Sequence, residues 1–295
     1  MTRPDLGLAT VLNGALLIGL LAALTVLAAT FFPPLFFITF ALADVAFAGF
    51  WYRRLLGLDR FAGGLRTRWL AGMIPLVCAA LMLAVLRTWA DPEVRAGPEY
   101  QAAFLIAWGA AMIWVHVLSS LIGLDCLEHG LEGRNPAVVW AWVGLMLGTT
   151  LAVAGANIGE GPTEATTLVP MVMAVAGLLG VWAVFAAVTG STASVTVERD
   201  QPSGVRLAGL LIAWGLILGR SVAGDWVSLE ATLRDFWHDG LQAVLVLLGL
   251  AIGVEVWERP RRRRPCPPMV GAGILPAVLF LGFALVWLWW LGGWR

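Results

Sequence analysis

Apolar residues recur in long runs along the whole chain, and the polar and charged residues gather between them. Nine runs stand out, at about 8–30, 35–52, 69–90, 101–124, 136–158, 167–190, 204–224, 237–257 and 271–292. Each is close to the roughly 20 residues that carry an α-helix across a bilayer core of about 30 Å. The pattern predicts an all-α, polytopic membrane bundle of about nine transmembrane helices. Almost nothing is left over for a soluble domain.

Composition agrees: 60% of residues are hydrophobic and 13% charged, with a mean hydropathy of +0.84, far from the balance of a soluble globular chain. All nineteen basic residues are Arg, which reads as a GC-rich bacterial coding bias. Three cysteines, Cys78, Cys126 and Cys266, lie at unrelated depths and predict unpaired thiols. The first run is long for a signal-peptide core and has no convincing cleavage site after it, so it reads as a retained span.

Arginine positions give an orientation. With the N-terminus cytoplasmic, fourteen Arg fall on the cytoplasmic side and five outside. The positive-inside rule then predicts an N-terminus inside and a C-terminus outside. Four organisational units follow: a three-span region over 1–99, a duplicated unit over 100–257, a basic cytoplasmic loop over 258–268, and a last span over 269–295. Arg261, Arg262, Arg263 and Arg264 in that loop suit contact with anionic headgroups, or with an acidic partner.

The duplication is visible when 134–161 is placed over 199–226, at a constant offset of 65 and with no gap. Arg134 falls on Arg199, Asn135 on Asp200, Gly144 on Gly209, Gly159 on Gly224 and Glu160 on Asp225. Both copies run in the same direction, which predicts a parallel two-helix repeat about an axis along the membrane normal. Gly144 with Gly148, Gly215 with Gly219, and Gly249 with Gly253 have the four-residue spacing that lets helices approach closely in lipid. Gly209 belongs to the same helix-packing set. Glu160 and Asp225 become matched charges at the outer rim. Arg220 has no charged mate, because Gly155 holds its place. It is expected to reach the headgroups or to pair with Glu160 or Asp225.

These residues carry a resemblance. An Asn or Asp after a short cytoplasmic loop, then small residues, then a Gly nine positions on, all repeated once, is Asn135 to Gly144 and Asp200 to Gly209 here. Over about 101–257 the pattern resembles the YjfL family of bacterial inner-membrane proteins, a domain of unknown function (number 350). The resemblance implies a bacterial inner (cytoplasmic) membrane location and paired helices. It brings no catalytic residue.

Inside the spans, Asp44 and His116 are the informative groups. An ionised carboxylate near mid-span costs at least about 2.5–3.5 kcal/mol, so Asp44 must be neutral, paired or beside water. The second and fourth spans run the same way, which sets Asp44 and His116 at similar depth. They could relay protons, or simply lock two helices by a hydrogen bond. The stretch 225–240 places Trp226, Leu229, Leu233, Phe236 and Trp237 on one stripe, predicting a short helix on the outer surface. Asp235, His238 and Asp239 on that turn read as solvated, with no metal expected. No two histidines suit a haem, and no cofactor is expected. Many of the Trp fall at span ends, such as Trp51, Trp69, Trp226 and Trp257, as an interfacial belt would.

No nucleotide or nucleophile motif occurs, so neither an enzyme nor a nucleic-acid partner is expected. Two functions remain. The preferred expectation is a non-catalytic accessory subunit of a larger membrane complex, held by membrane lipids and by other subunits or copies of itself. The alternative is an ion- or proton-coupled transporter or channel using Asp44, His116 and Arg220.

Overall fold

The computed structural model describes residues 33–57, 65–258 and 268–293. The first expected span and the Arg261–Arg264 run lie outside the described residues. Eight long helices follow one another: α1 Pro33–Gly57, α2 Leu65–Thr88, α3 Pro98–Leu121, α4 Pro136–Gly155, α5 Ala165–Thr189, α6 Gln201–Ser221, α7 Leu229–Glu258 and α8 Val270–Trp290. Every regular element among the described residues is helical. Seven helices, α2 to α8, are long and apolar enough to cross a membrane; α1 is the segment that carries Asp44. The protein is a multi-pass helical membrane protein.

The helices pair as hairpins, α1–α2, α3–α4, α5–α6 and α7–α8, and the second helices stand in a row, α2 beside α4, α4 beside α6, α6 beside α8. Neighbours in the row run parallel. Along α4 and α6 the close approaches are Gly204 with Ala137, Gly144 with Ala208, Gly215 with Gly148, and Gly155 with Gly219. Along α6 and α8 they are Gly273 with Pro202, then Gly209 with Ala277. Thus Gly144 packs on the next helix in the row, and Gly209 packs on the one after that. The contact is made against backbone: a methyl at Gly148 would collide with the Leu211 carbonyl, and one at Gly155 with Gly219. Where the hydrophobic effect cannot drive association, such close backbone packing is what holds helices together.

Residues 65 apart take the same special conformations. Asn135 and Asp200 both cap their helices, through bonds from Ala137 N at 3.1 Å and Ser203 N at 3.1 Å. Arg134 and Arg199 before them are both left-handed, at φ 51° and 56°. Such a conformation is uncommon outside glycine. At the far ends Gly159 and Gly224 have φ 120° and 135°. There the two strands of chain join: Gly224 N donates to Ile158 O at 2.7 Å, and Trp226 N to Glu160 O at 2.8 Å.

Three expectations are corrected. The stretch 225–240 is no separate surface helix. Ser228 caps it, its hydroxyl accepting from Ala231 N at 3.1 Å, and the helix runs on through a π-turn into α7 without a break. A Cβ at Gly249 or Gly253 would meet nothing within 4 Å among the described residues, since both lie on the exposed side of α7. Trp51 does not belong to an interfacial belt: it is 2% exposed and stacks on Trp142, ring centroids 4.8 Å apart. Trp69 and Trp257 are exposed.

Candidate functional site: a cavity between four helices

Helices α1 and α3 run parallel, because Asp44 faces Gly109 and, seven residues on in both, Trp51 meets His116 at 5.5 Å between centroids. With α2 and α4 they border a partly open cavity of about 210 Å³, lined by Asp44, Phe47, Trp51, Trp108, His116 and Trp142 among others. Glycine at 109 is what lets the carboxylate sit there, since a Cβ would overlap it.

The aromatic walls are fixed from behind. Trp51 Nε1 donates to Ala71 O at 3.3 Å, and Tyr52 OH to Gly72 O at 3.0 Å. Trp108 Nε1 donates to Thr150 Oγ1 at 3.1 Å, and that hydroxyl donates to Met146 O at 2.8 Å. These bonds tie the polar edges of three rings to helix backbones or hydroxyls.

Polar groups at the cavity itself are left over. Asp44 Oδ1, His116 Nδ1 and Trp142 Nε1 are each buried without a hydrogen-bond partner among the described residues. No hydrogen bond joins Asp44 to His116. The His116 ring instead lies edge-on to Phe47, centroids 5.3 Å apart, and to Trp51, one to two turns beyond the carboxylate. Direct proton passage between the pair has no path in this arrangement. Cys78, also on the cavity wall, is a buried free thiol, as is Cys126.

Arg220 lies elsewhere and pairs with neither Glu160 nor Asp225. Its guanidinium donates to the backbone carbonyls of Gly293 and of Leu291, the latter at 3.2 Å. It caps the end of α8, where the last carbonyls lack intrahelical partners. The rim charges also meet differently: Asp225 Oδ1 accepts from the Glu160 backbone N–H at 2.9 Å. This is the acid of one copy capping the backbone of the other. Both residues are exposed.

One charged group was missed in the sequence. Arg206 is 2% exposed and pairs with Glu255 at 2.7 Å. It also donates to Ala272 O and, at 3.0 Å, to Ser203 Oγ. Ser203 in turn meets the Asp200 carboxylate. The network ties α6, α7 and α8 together near the ends that carry Asp200 and Glu258. The signal was present as two opposite charges, Arg206 and Glu255, each just inside an apolar run.

Comparison with known proteins gives little. Over 204 residues, 67% of the chain, the sequence is 26% identical to the efflux pump patC of Aspergillus clavatus. The chain spans about a third of that protein's length, 34%. No protein-family model matches the chain. No solved structure matches it.

Proposed function

We propose that the protein is a membrane transporter of small solutes, with the cavity between α1, α2, α3 and α4 as its binding site. One observation carries the reading. Asp44, near the middle of its helix, lines a cavity walled by aromatic side chains and keeps a buried oxygen with no partner among the described residues. A carboxyl group that only locked helices together would be hydrogen-bonded, because lipid and apolar side chains offer it nothing. An unoccupied acceptor in a pre-formed cavity is what a ligand site requires. The likeness to an efflux pump supports transport and lends nothing to the accessory-subunit expectation.

The same reading takes in the organisation of the chain. We infer a duplicated hairpin at offset 65, supported by the matched caps, matched positive φ values and parallel register of α4 and α6. The YjfL resemblance rests on that motif alone. Nine spans, an N-terminus inside, a C-terminus outside and a bacterial inner-membrane location follow from the arginine asymmetry and the first apolar run. In this reading the protein performs no covalent chemistry.

The test is flux. Purified protein reconstituted in liposomes with an internal pH dye should show proton movement when members of a panel of small amines, organic acids and neutral solutes are added. Asp44→Asn should assemble normally and abolish it. A protein silent to the whole panel, and purifying in mild detergent with a stoichiometric foreign subunit, would return the accessory role.

A further inference from the structure

We propose that the α1–α4 cavity takes a small organic cation with an apolar body, a quaternary ammonium or protonated amine, in exchange for the proton on Asp44. This rests on the transport reading and adds to it the substrate class. Three features of the cavity converge on that chemistry. The first is charge. Asp44 is the acidic group of the lining, and no Arg lines it. An anion would meet the carboxyl group and no Arg. A metal ion needs several oxygen ligands, and no group of three or more metal-ligating His, Cys, Asp or Glu side chains occurs among the described residues.

The second is the wall. Phe47, Trp51, Trp108 and Trp142 line the space. Trp51 and Trp142 cover one face of each other, centroids 4.8 Å apart, so the rings at the level of the carboxyl group are Phe47, one turn from Asp44, and Trp108, beside Gly109, whose indole a hydrogen bond holds before any ligand arrives. Ring faces attract a cation by their quadrupole, most strongly when water is excluded, and such cages are a recurring device for alkylammonium groups. The third is size. About 210 Å³ is below the usual range of drug-sized pockets, which favours a compact cation.

The exchange balances. An ionised carboxylate in apolar surroundings is costly, so in this proposal the empty site holds the neutral acid. Entry of one cation takes the place of one proton, which leaves to water, and the cavity holds no net charge before or after. Proton and cation therefore compete, and acid weakens cation binding. The other titratable groups on the walls are His116 from α3, Cys78 from α2 and Tyr52 from α1. A protonated His116 would repel the same cation, so its titration reinforces the direction.

The experiment uses the purified full chain in neutral detergent, with benzyltrimethylammonium as probe and neopentylbenzene, its uncharged isostere, as control. Tryptophan fluorescence reports occupancy. The cation should bind about tenfold or more tightly than the isostere. Its affinity should fall as pH falls, and a weakly buffered sample should release one proton per cation. Asp44→Asn should lose the charge preference and the proton release, with its unfolding midpoint recorded alongside. If that variant unfolds, Trp108→Leu provides the second arm and should weaken cation binding alone. Equal affinity for the two probes, or binding without proton release, overturns the proposal. The outcomes separate from those of the flux test: movement of other solutes without cation binding removes the substrate class and keeps transport, whereas cation binding without flux does the reverse.

Discussion

The α4–α6 pair and the α1–α3 pair are both parallel helices set side by side, yet one is closed and the other open. Between α4 and α6 the small residues Gly144, Gly148, Gly155, Gly204 and Gly215 all face backbone, and no space remains. Between α1 and α3, Gly109 faces a carboxylate, and beside it large rings prop the helices apart around a cavity. Glycine against backbone makes a seam. Glycine against a charged side chain makes room for a site. In lipid, close contact is the main attractive force between helices, so the seam supplies the rigidity against which the open side can hold unpaired polar groups. Polar groups follow the same division. In the packed half Arg206 is matched to Glu255 and to backbone, whereas at the cavity Asp44 Oδ1 has no partner among the described residues.

The largest effect should come from breaking the matched side. Arg206→Ala leaves Glu255 buried opposite an empty place, at a cost of about 3–5 kcal/mol in unfolding free energy. Replacing both, as Arg206→Met with Glu255→Leu, should recover most of it. Denaturant unfolding in detergent measures the pair, and a double variant as weak as the single one would show that the charges were not coupled.

A series of glycine-to-alanine changes then grades the contrast. Gly148→Ala drives a methyl into the Leu211 carbonyl, which belongs to helix backbone and cannot step aside, and should cost about 1–3 kcal/mol. Gly109→Ala meets first the Asp44 carboxyl group, a short side chain that must shift. It should cost less than Gly148→Ala, about 1 kcal/mol, while flux and probe binding at the cavity drop. Gly249→Ala meets nothing, and the better helix former should leave stability unchanged or raise it by up to about 1 kcal/mol. Thermal midpoints of the three variants in one detergent decide the order. A Gly148→Ala as harmless as Gly249→Ala would mean that the seam does not depend on backbone contact.

The outer seam gives the smallest test. Asp225→Ala removes the acceptor for the exposed Glu160 N–H and should cost about 0.5–1 kcal/mol, because water replaces the lost bond. A loss as large as that of Gly148→Ala would place Asp225 in a buried network, contrary to its exposure.

The duplicated polar marks were readable because each has a local cause. A residue at Asn135 or Asp200 caps the helix that follows it whatever its neighbours are, and Gly159 and Gly224 end helices in conformations other residues resist. Arg220 shows the opposite case. In sequence it stands five residues from Asp225, which invites a pair, but its partners are carbonyls more than seventy positions away at the end of α8. Gly249 and Gly253 carry the same spacing as Gly144 and Gly148, yet they face outward. Spacing puts two glycines on one face and does not say which way that face turns. Trp51 likewise stands next to Tyr52, Arg53 and Arg54, a span-end setting, and is nevertheless buried against Trp142.

Chain-local physics thus determined the class: runs too apolar for water and about as long as a bilayer is thick mark a multi-pass helical membrane protein. The sequence also marked where helices begin and end, through Asn135, Asp200, Gly159 and Gly224. Only the tertiary structure decided what faces what. It set Gly109 against Asp44, brought four aromatic side chains to the cavity that Asp44 also lines, matched Arg206 to Glu255 across 49 residues, and turned one glycine pair inward and another out. The reason is that all these helices are apolar on every side. With no polar face to show which side is solvent, the rotation of each helix is fixed by shape contacts with its neighbours, and those exist only once the bundle is assembled.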